Sequence, residues 1–301
     1  MTAGMAAALL GSGAAAAAES ATTGVVGTLK YQRHGSTGSA VILVPGLQGG
    51  PWVWQDTIKH LEKHHVVYAV TLAGFDGMPA PTRQTGLMDQ ADASLLALIT
   101  QQRIDKPVLV GHSLGGTLAL RFAGEHAALL AGVVAVDGLP IFPGMERLDP
   151  AQRQAMADRM RTQMAGMDSA QFAASALAYM QHVGVIDPAL AAQYAPLNAR
   201  SDVAASAQYA AEDMAADYRP LLKQATLPII EISPYNAPDF ATGPLAMSEA
   251  QKAAYYWGLL ADAPDARVVS IAPARHFVML DQPAKFLAVV NDFLQANGAK
   301  P

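Results

Sequence analysis

A chain of 301 residues that is 51% apolar and 15% charged, with a formal net charge of −5, has the material for a large buried core and is not a disordered polymer. Its 20 basic side chains are scattered along the sequence, so no electrostatic footprint for nucleic acid or an anionic membrane is present. The absence of cysteine excludes disulfides, thiolate catalysis and thiolate-ligated metal centres.

At the N-terminus, residues 5–18 are apolar and small, and Ala16-Ala17-Ala18 before Glu19 has the small-x-small form of a signal-peptidase site. Export to the periplasm or beyond is the preferred expectation. No Lys or Arg precedes the apolar run, so a flexible leader on a cytoplasmic protein is the alternative. The run is too short, and too poor in Leu and Ile, for stable membrane insertion. Residues 1–23 are therefore set apart from the fold.

Beyond them, short β-branched runs alternate with helical periodicity. In chain order the pattern predicts strands over 25–31 and 40–44, a helix over 56–63, a strand over 66–70 and a helix over 85–100. A strand over 108–110, a helix over 114–127 and a strand over 133–136 follow. The alternation breaks over 143–220, where Ala- and Met-rich amphipathic segments succeed one another without a strand. It resumes with a strand over 229–233, a helix over 248–260, a strand over 268–271 and a helix over 283–297. Nearly unbroken apolar strands separated by helices imply an α/β fold, a mostly parallel sheet covered on both faces. The core is expected over 24–142 and 221–301, with 143–220 as an inserted helical cap. Met156, Met160, Met164, Met167 and Met180 fall in the cap; helix packing is the expected use, and an adaptable pocket lining the other.

The most specific motif is Gly111-His112-Ser113-Leu114-Gly115, which joins the 108–110 strand directly to the 114–127 helix. A nucleophile held at such an elbow needs strained backbone angles and close approach on either side, which glycine permits. The spacing fits neither a phosphate-binding loop nor a dinucleotide fingerprint. Leu114 opens the helix, so its amide is free to donate to an oxyanion.

From residue 40 onward the chain resembles the α/β-hydrolase family of serine esterases and lipases. The resemblance rests on the elbow and on Ile271-Ala-Pro-Ala-Arg-His-Phe near the C-terminus, which is similar to the family's closing histidine motif. It implies Ser113 as nucleophile and His276 as general base. It also implies Leu47, in Val44-Pro45-Gly46-Leu47-Gln48-Gly49-Gly50, as a second oxyanion donor beside Leu114, although Pro45 stands where the family usually has His. For the triad acid it points first to Asp239, after the 229–233 strand, with Asp137, at the end of the 133–136 strand, as the alternative. Trp52 and Trp54 are expected to anchor the neighbouring helix.

The implied activity is hydrolysis of a carboxylic ester, or of a lactone, through an acyl-enzyme on Ser113. No cofactor or metal is implied, and the partner is a small-molecule substrate. Amide or carbon–carbon hydrolysis on the same residues, a non-catalytic binding protein and an interfacial lipase are the competing readings. Serine at the nucleophile position argues against dehalogenase and epoxide-hydrolase chemistry, which uses an aspartate there.

Overall fold

The computed structural model describes residues 21–244 and 246–297; of the leader expected over residues 1–23, residues 1–20 lie outside them, and Thr22 and Thr23 belong instead to the first strand, where they pair with Arg33 and Gln32. Eight strands form one sheet: β1 (Thr22–Val26), β2 (Leu29–His34), β3 (Ala40–Val44), β4 (Val66–Leu72), β5 (Val108–His112), β6 (Gly132–Val136), β7 (Ile229–Pro234) and β8 (Ala266–Ile271). Their order is β1-β2-β4-β3-β5-β6-β7-β8. β2 runs antiparallel to both β1 and β4, and all later pairs are parallel.

The strand predicted over 25–31 is instead interrupted by the β1–β2 turn, with Val25 and Val26 ending β1 and Leu29, Lys30 and Tyr31 opening β2. Val26 pairs with Leu29 across a two-residue turn in which Gly27 has φ 55°. Apolar Val25, Val26, Leu29 and Tyr31 flank the turn closely, which hid the reversal.

Every residue of β3, β5 and β6 is buried. Val41 and Leu43 pack with one side of the molecule, against α1 (Gln55–Leu61) and elements near the C-terminus. Ile42 and Val44 pack with the other, against α2 (Leu87–Gln101) and α3 (Leu114–His126). This two-sided burial is why the strands read as unbroken apolar runs rather than alternating ones. Truncating a fully buried core leucine such as Leu43 to Ala would cost about 2–5 kcal/mol.

Between β6 and β7 lie four further helices: α4 (Pro150–Ala165), α5 (Ser169–Tyr179), α6 (Pro188–Asn198) and α7 (Val203–Ala215). Each begins at an aspartate. Asp149, Asp168, Asp187 and Asp202 accept hydrogen bonds of 2.8–2.9 Å from Gln152, Gln171, Ala189 and Ala205 amides respectively. Such caps satisfy amide donors that the first helical turn leaves unpaired. A π-helical turn, Met180–Gly184, extends α5. The chain then returns through β7, α8 (Glu249–Leu259), β8, α9 (Val278–Asp281) and α10 (Pro283–Ala296), the last on the side shared with α1. No helix among the described residues is long and apolar enough to cross a membrane.

Candidate active site

β5 ends at His112 and α3 begins at Leu114, leaving Ser113 alone at the reversal with φ 53° and ψ −125°. A non-glycine residue at positive φ is strained and persists only where its surroundings fix it. Here the Ser113 amide donates to the Val136 carbonyl at 2.8 Å, and the Ser113 carbonyl accepts from Gly116 and Thr117 at 2.7 and 2.9 Å. A methyl group on Gly111 would collide with the Gly115 carbonyl, and one on Gly115 with the carbonyls of Val44 and Pro45. Glycine at both positions is thus a packing requirement of the elbow. Ser113 faces a cavity between the sheet and the cap helices.

His276, in the loop after β8, lines the same cavity. Its Nδ1 lies 2.5 Å from Asp137 Oδ2, which leaves Nε2 as the ring's acceptor. Asp137 is the first residue past β6, with φ 48°, and its amide is fixed by the Ile232 carbonyl at 3.0 Å. Its other oxygen, Oδ1, accepts from the Tyr256 hydroxyl on α8. Burial pushes the Asp137 carboxyl up, but the charges of His276 and Lys252 and the hydrogen bonds from His276 and Tyr256 outweigh it and hold the group well below its ordinary value. Asp137 is therefore a carboxylate at neutral pH. No hydrogen bond joins Ser113 to His276 in this unliganded structure, and such links commonly tighten only around substrate.

Asp239, the residue first expected beside His276, is engaged elsewhere. It lies in a short turn, Ala237–Phe240, beyond β7, and forms a two-point pair with Arg275, both N–O distances being 2.7 Å. Asn236 Nδ2 adds a third bond at 2.8 Å. Five residues of chain past the end of β7 carry the carboxyl to the guanidinium rather than to the imidazole. The Arg275 hydrogen bond leads in lowering its pKa. Arg275 also donates to the Gln181 and Val185 carbonyls at 2.8 and 3.1 Å. Asp239 thus steadies the clamp between the histidine loop and the π-helical turn of the cap. The same junction is closed by the amides of His276 and Phe277, which donate to Val183 and Gly184 at 3.2 and 2.9 Å.

His112 Nε2 donates to the His276 carbonyl at 3.0 Å, bracing the loop from below. Burial and the neighbouring His276 push its pKa well down, so His112 is neutral. Leu47 and Leu114 both line the cavity. No hydrogen bond among the described residues uses the Leu47 amide, and Leu114 starts its helix. Gly46 approaches closely: a Cβ there would lie 2.8 Å from His112 Nδ1 and 2.9 Å from Ser113 Cβ.

The cavity measures about 580 Å³. Met160, Met164 and Met167 line it, so three of the cap methionines serve the pocket rather than helix packing alone. Met180 is buried in the core and Met156 is exposed. Trp52 and Trp54 are buried anchors outside the cavity; Trp52 stacks on Tyr194 with ring centres 5.4 Å apart.

Sequence reasoning missed Tyr256, Lys252 and Asp213. Lys252 is buried, donates to the Pro234 carbonyl at 2.5 Å and faces the Tyr256 ring at 5.0 Å. Beside it Glu231 is buried on β7 and pushed well above its ordinary pKa, first by burial and then by Asp137; it accepts from Gly138 N. The only signal for Tyr256 and Lys252 was their i, i+4 spacing on a helix adjoining β7. Asp92, Glu125 and His126 have ligand atoms close enough for a metal ion, but they lie on α2 and α3 outside the cavity, with Arg121 bonded to Glu125 at 3.1 Å.

The chain belongs to the alpha/beta hydrolase family, whose model matches residues 41–289. It is a hydrolase of that superfamily. It is 30% identical over 138 residues to N-formylmaleamate deformylase of Pseudomonas putida, a match covering 46% of this chain and 51% of the relative. The chain thus spans about half the length of that relative. Among solved structures it is similar to an enol-lactonase from Burkholderia xenovorans, with TM-score 0.70 and 21% identity, covering 91% of this chain and 100% of the other. It is also similar to a thermophilic esterase from Thermogutta terrifontis, with TM-score 0.68 and 20% identity, covering 92% and 98%. At these identities the two structures speak for the fold.

Proposed function

We propose that the protein is a serine hydrolase that cleaves a carboxylic ester through an acyl-enzyme on Ser113. The observation that carries this reading is the strained Ser113 elbow sharing one cavity with an imidazole held by Asp137 at 2.5 Å. Backbone strain at a site where nothing in the packing needs serine is what a nucleophile requires and a mere ligand pocket does not.

Ser113 Oγ attacks the carbonyl carbon while His276 Nε2 takes its proton. The Leu47 and Leu114 amides receive the oxyanion, each worth about 10²–10³ in rate. The intermediate collapses, the imidazolium returns the proton to the departing alkoxide, and the alcohol leaves. Water then repeats the sequence, and the carboxylic acid is released. Asp137 holds the tautomer and stabilises the imidazolium without accepting the proton.

The test is hydrolysis of p-nitrophenyl esters from acetate to palmitate by wild type and Ser113→Ala, with fluorophosphonate labelling of Ser113. Turnover lost with the serine supports the reading. Equal rates in both proteins and no label would overturn it. A second reading, lactone or amide cleavage on the same residues, draws support from the names of the enol-lactonase and the deformylase. Lactone and N-formyl amide substrates with the same two proteins separate it from ester hydrolysis.

A further inference from the structure

Resting on the proposed hydrolase reading, we infer that Asp213 makes the part of the cavity that it lines a subsite for a protonated amine, so that the preferred substrate carries an alkylammonium group on an apolar chain and no carboxylate. Asp213 lies in the last part of α7 and lines the cavity together with Thr117 of α3. Thr117 is four residues beyond Ser113, about 6 Å along the helix axis. The subsite is thus one turn from the nucleophile.

Nothing in the protein neutralises an ionised Asp213. No ion pair reaches it among the described residues, and no Lys or Arg among them lines the cavity. Its one hydrogen-bonding neighbour among the described residues is the Thr117 hydroxyl, which offsets only part of the effect of burial and whose single proton the Leu139 carbonyl also draws at 2.9 Å. On the next turn of α3, Arg121 is held by Asp89 at 2.8 Å and Glu125 at 3.1 Å. The remaining polar lining away from the triad, Gln48, Ser175 and Asn198, is uncharged.

A half-buried carboxylate without a counter-charge is costly, and burial accordingly pushes Asp213 up to about 7. An incoming ammonium reverses that penalty by supplying the missing charge and donors. A carboxylate ligand meets Asp213 with no Lys or Arg among the described residues lining the cavity to offset it. Met160, Met164 and Phe142 provide apolar surface for the connecting chain.

The experiment is calorimetric titration of the full-length Ser113→Ala protein with 4-phenylbutylamine, 4-phenylbutan-1-ol and 4-phenylbutyrate near neutral pH. The amine is expected to bind at least about tenfold more tightly than the alcohol, a difference of about 1.4 kcal/mol, and the butyrate least tightly. Adding Asp213→Asn should erase the preference for the amine while the melting temperature holds or rises. In wild type the amine should slow fluorophosphonate labelling of Ser113, which places it in this cavity. Equal affinity for amine and alcohol overturns the inference. So does a variant that binds all three ligands more weakly and melts earlier, since Asp213 would then be structural. Because binding is read without turnover, loss of the hydrolase reading would leave the amine preference intact. Ester turnover without amine preference would sink the subsite alone.

Discussion

Asp137 Oδ2 and His276 Nδ1 meet at 2.5 Å although 139 residues separate them in the chain. The contact is made at the carboxyl ends of strands that are not neighbours: β7 runs between β6 and β8. Glu231 on β7 sits between the two, buried, with its acid group pushed well up by burial and by Asp137. The negative charge is thereby concentrated on the one carboxylate that faces the imidazole.

Replacing Asp137 with Asn should lower kcat/KM by up to about 10⁴, because the amide favours the wrong tautomer and leaves the imidazolium unsupported. Asp239→Asn should lower it by less than about tenfold. Its effect should fall instead on stability, about 1 kcal/mol for one partly exposed two-point pair, by loosening Arg275 from the cap. Steady-state kinetics and thermal melts on both variants check this, and the reverse ranking of activities would remove Asp137 from the triad.

That ranking also marks where sequence reading ends. β3 and the α3 start were legible because buried parallel strands are continuously apolar and because the elbow glycines have a packing reason visible as spacing. The helices between β6 and β7 were legible as a break in alternation, and their Asp caps, such as Asp149-Pro150-Ala151-Gln152, carry a recognisable helix start. The hairpin at Gly27 was missed because Val25, Val26, Leu29 and Tyr31 flank the turn closely, though Gly27-Thr28 was a turn signal. The choice between Asp137 and Asp239 depends on where a side chain points after five residues of irregular loop. Spacing holds no information about that. Tyr256 and Asp213 were missed for the same reason: their roles come from helices packed across the site, which no local pattern encodes.

Tyr256→Phe removes the hydroxyl that donates to Asp137 Oδ1. A hydrogen bond to a charged group is worth about 1.5–3 kcal/mol, of which part should appear in the transition state, so kcat should fall roughly tenfold with KM little changed. Asp137 loses one of the bonds that keep its pKa low but stays a carboxylate. A kcat equal to wild type would show that the phenol merely fills space.

Gly46→Ala tests the approach of the oxyanion loop to the elbow. The added methyl would press on His112 Nδ1 at 2.8 Å and Ser113 Cβ at 2.9 Å, tighter than side chains tolerate. The loop carrying Leu47 must retreat, and misplacing one oxyanion donor costs about 10²–10³ in kcat. Circular dichroism should show a folded protein. Full activity would mean that the Leu47 amide is not an oxyanion donor.

Stability should depend on pH through the acids that burial perturbs. Asp213 is pushed up to about 7 and Asp92 to about 6, both chiefly by burial, from an ordinary value of 3.8. Between about pH 4 and 7 the folded chain therefore binds more protons than the unfolded one, and stability falls as pH rises through that window. Asp137 acts with the opposite sign: its depressed pKa contributes stability above the ordinary carboxylate range, lost only as pH drops below it. Facing Asp213 are the Thr117 hydroxyl and the Tyr218 phenol, itself pushed up to about 12 by burial and neutral throughout. Asp213→Asn should thus melt near wild type toward pH 4 and progressively above it from there to about pH 7, after which the gap stays constant. Melts at closely spaced pH values read the difference directly; two parallel curves would mean that Asp213 keeps an ordinary pKa and is solvated in the empty cavity.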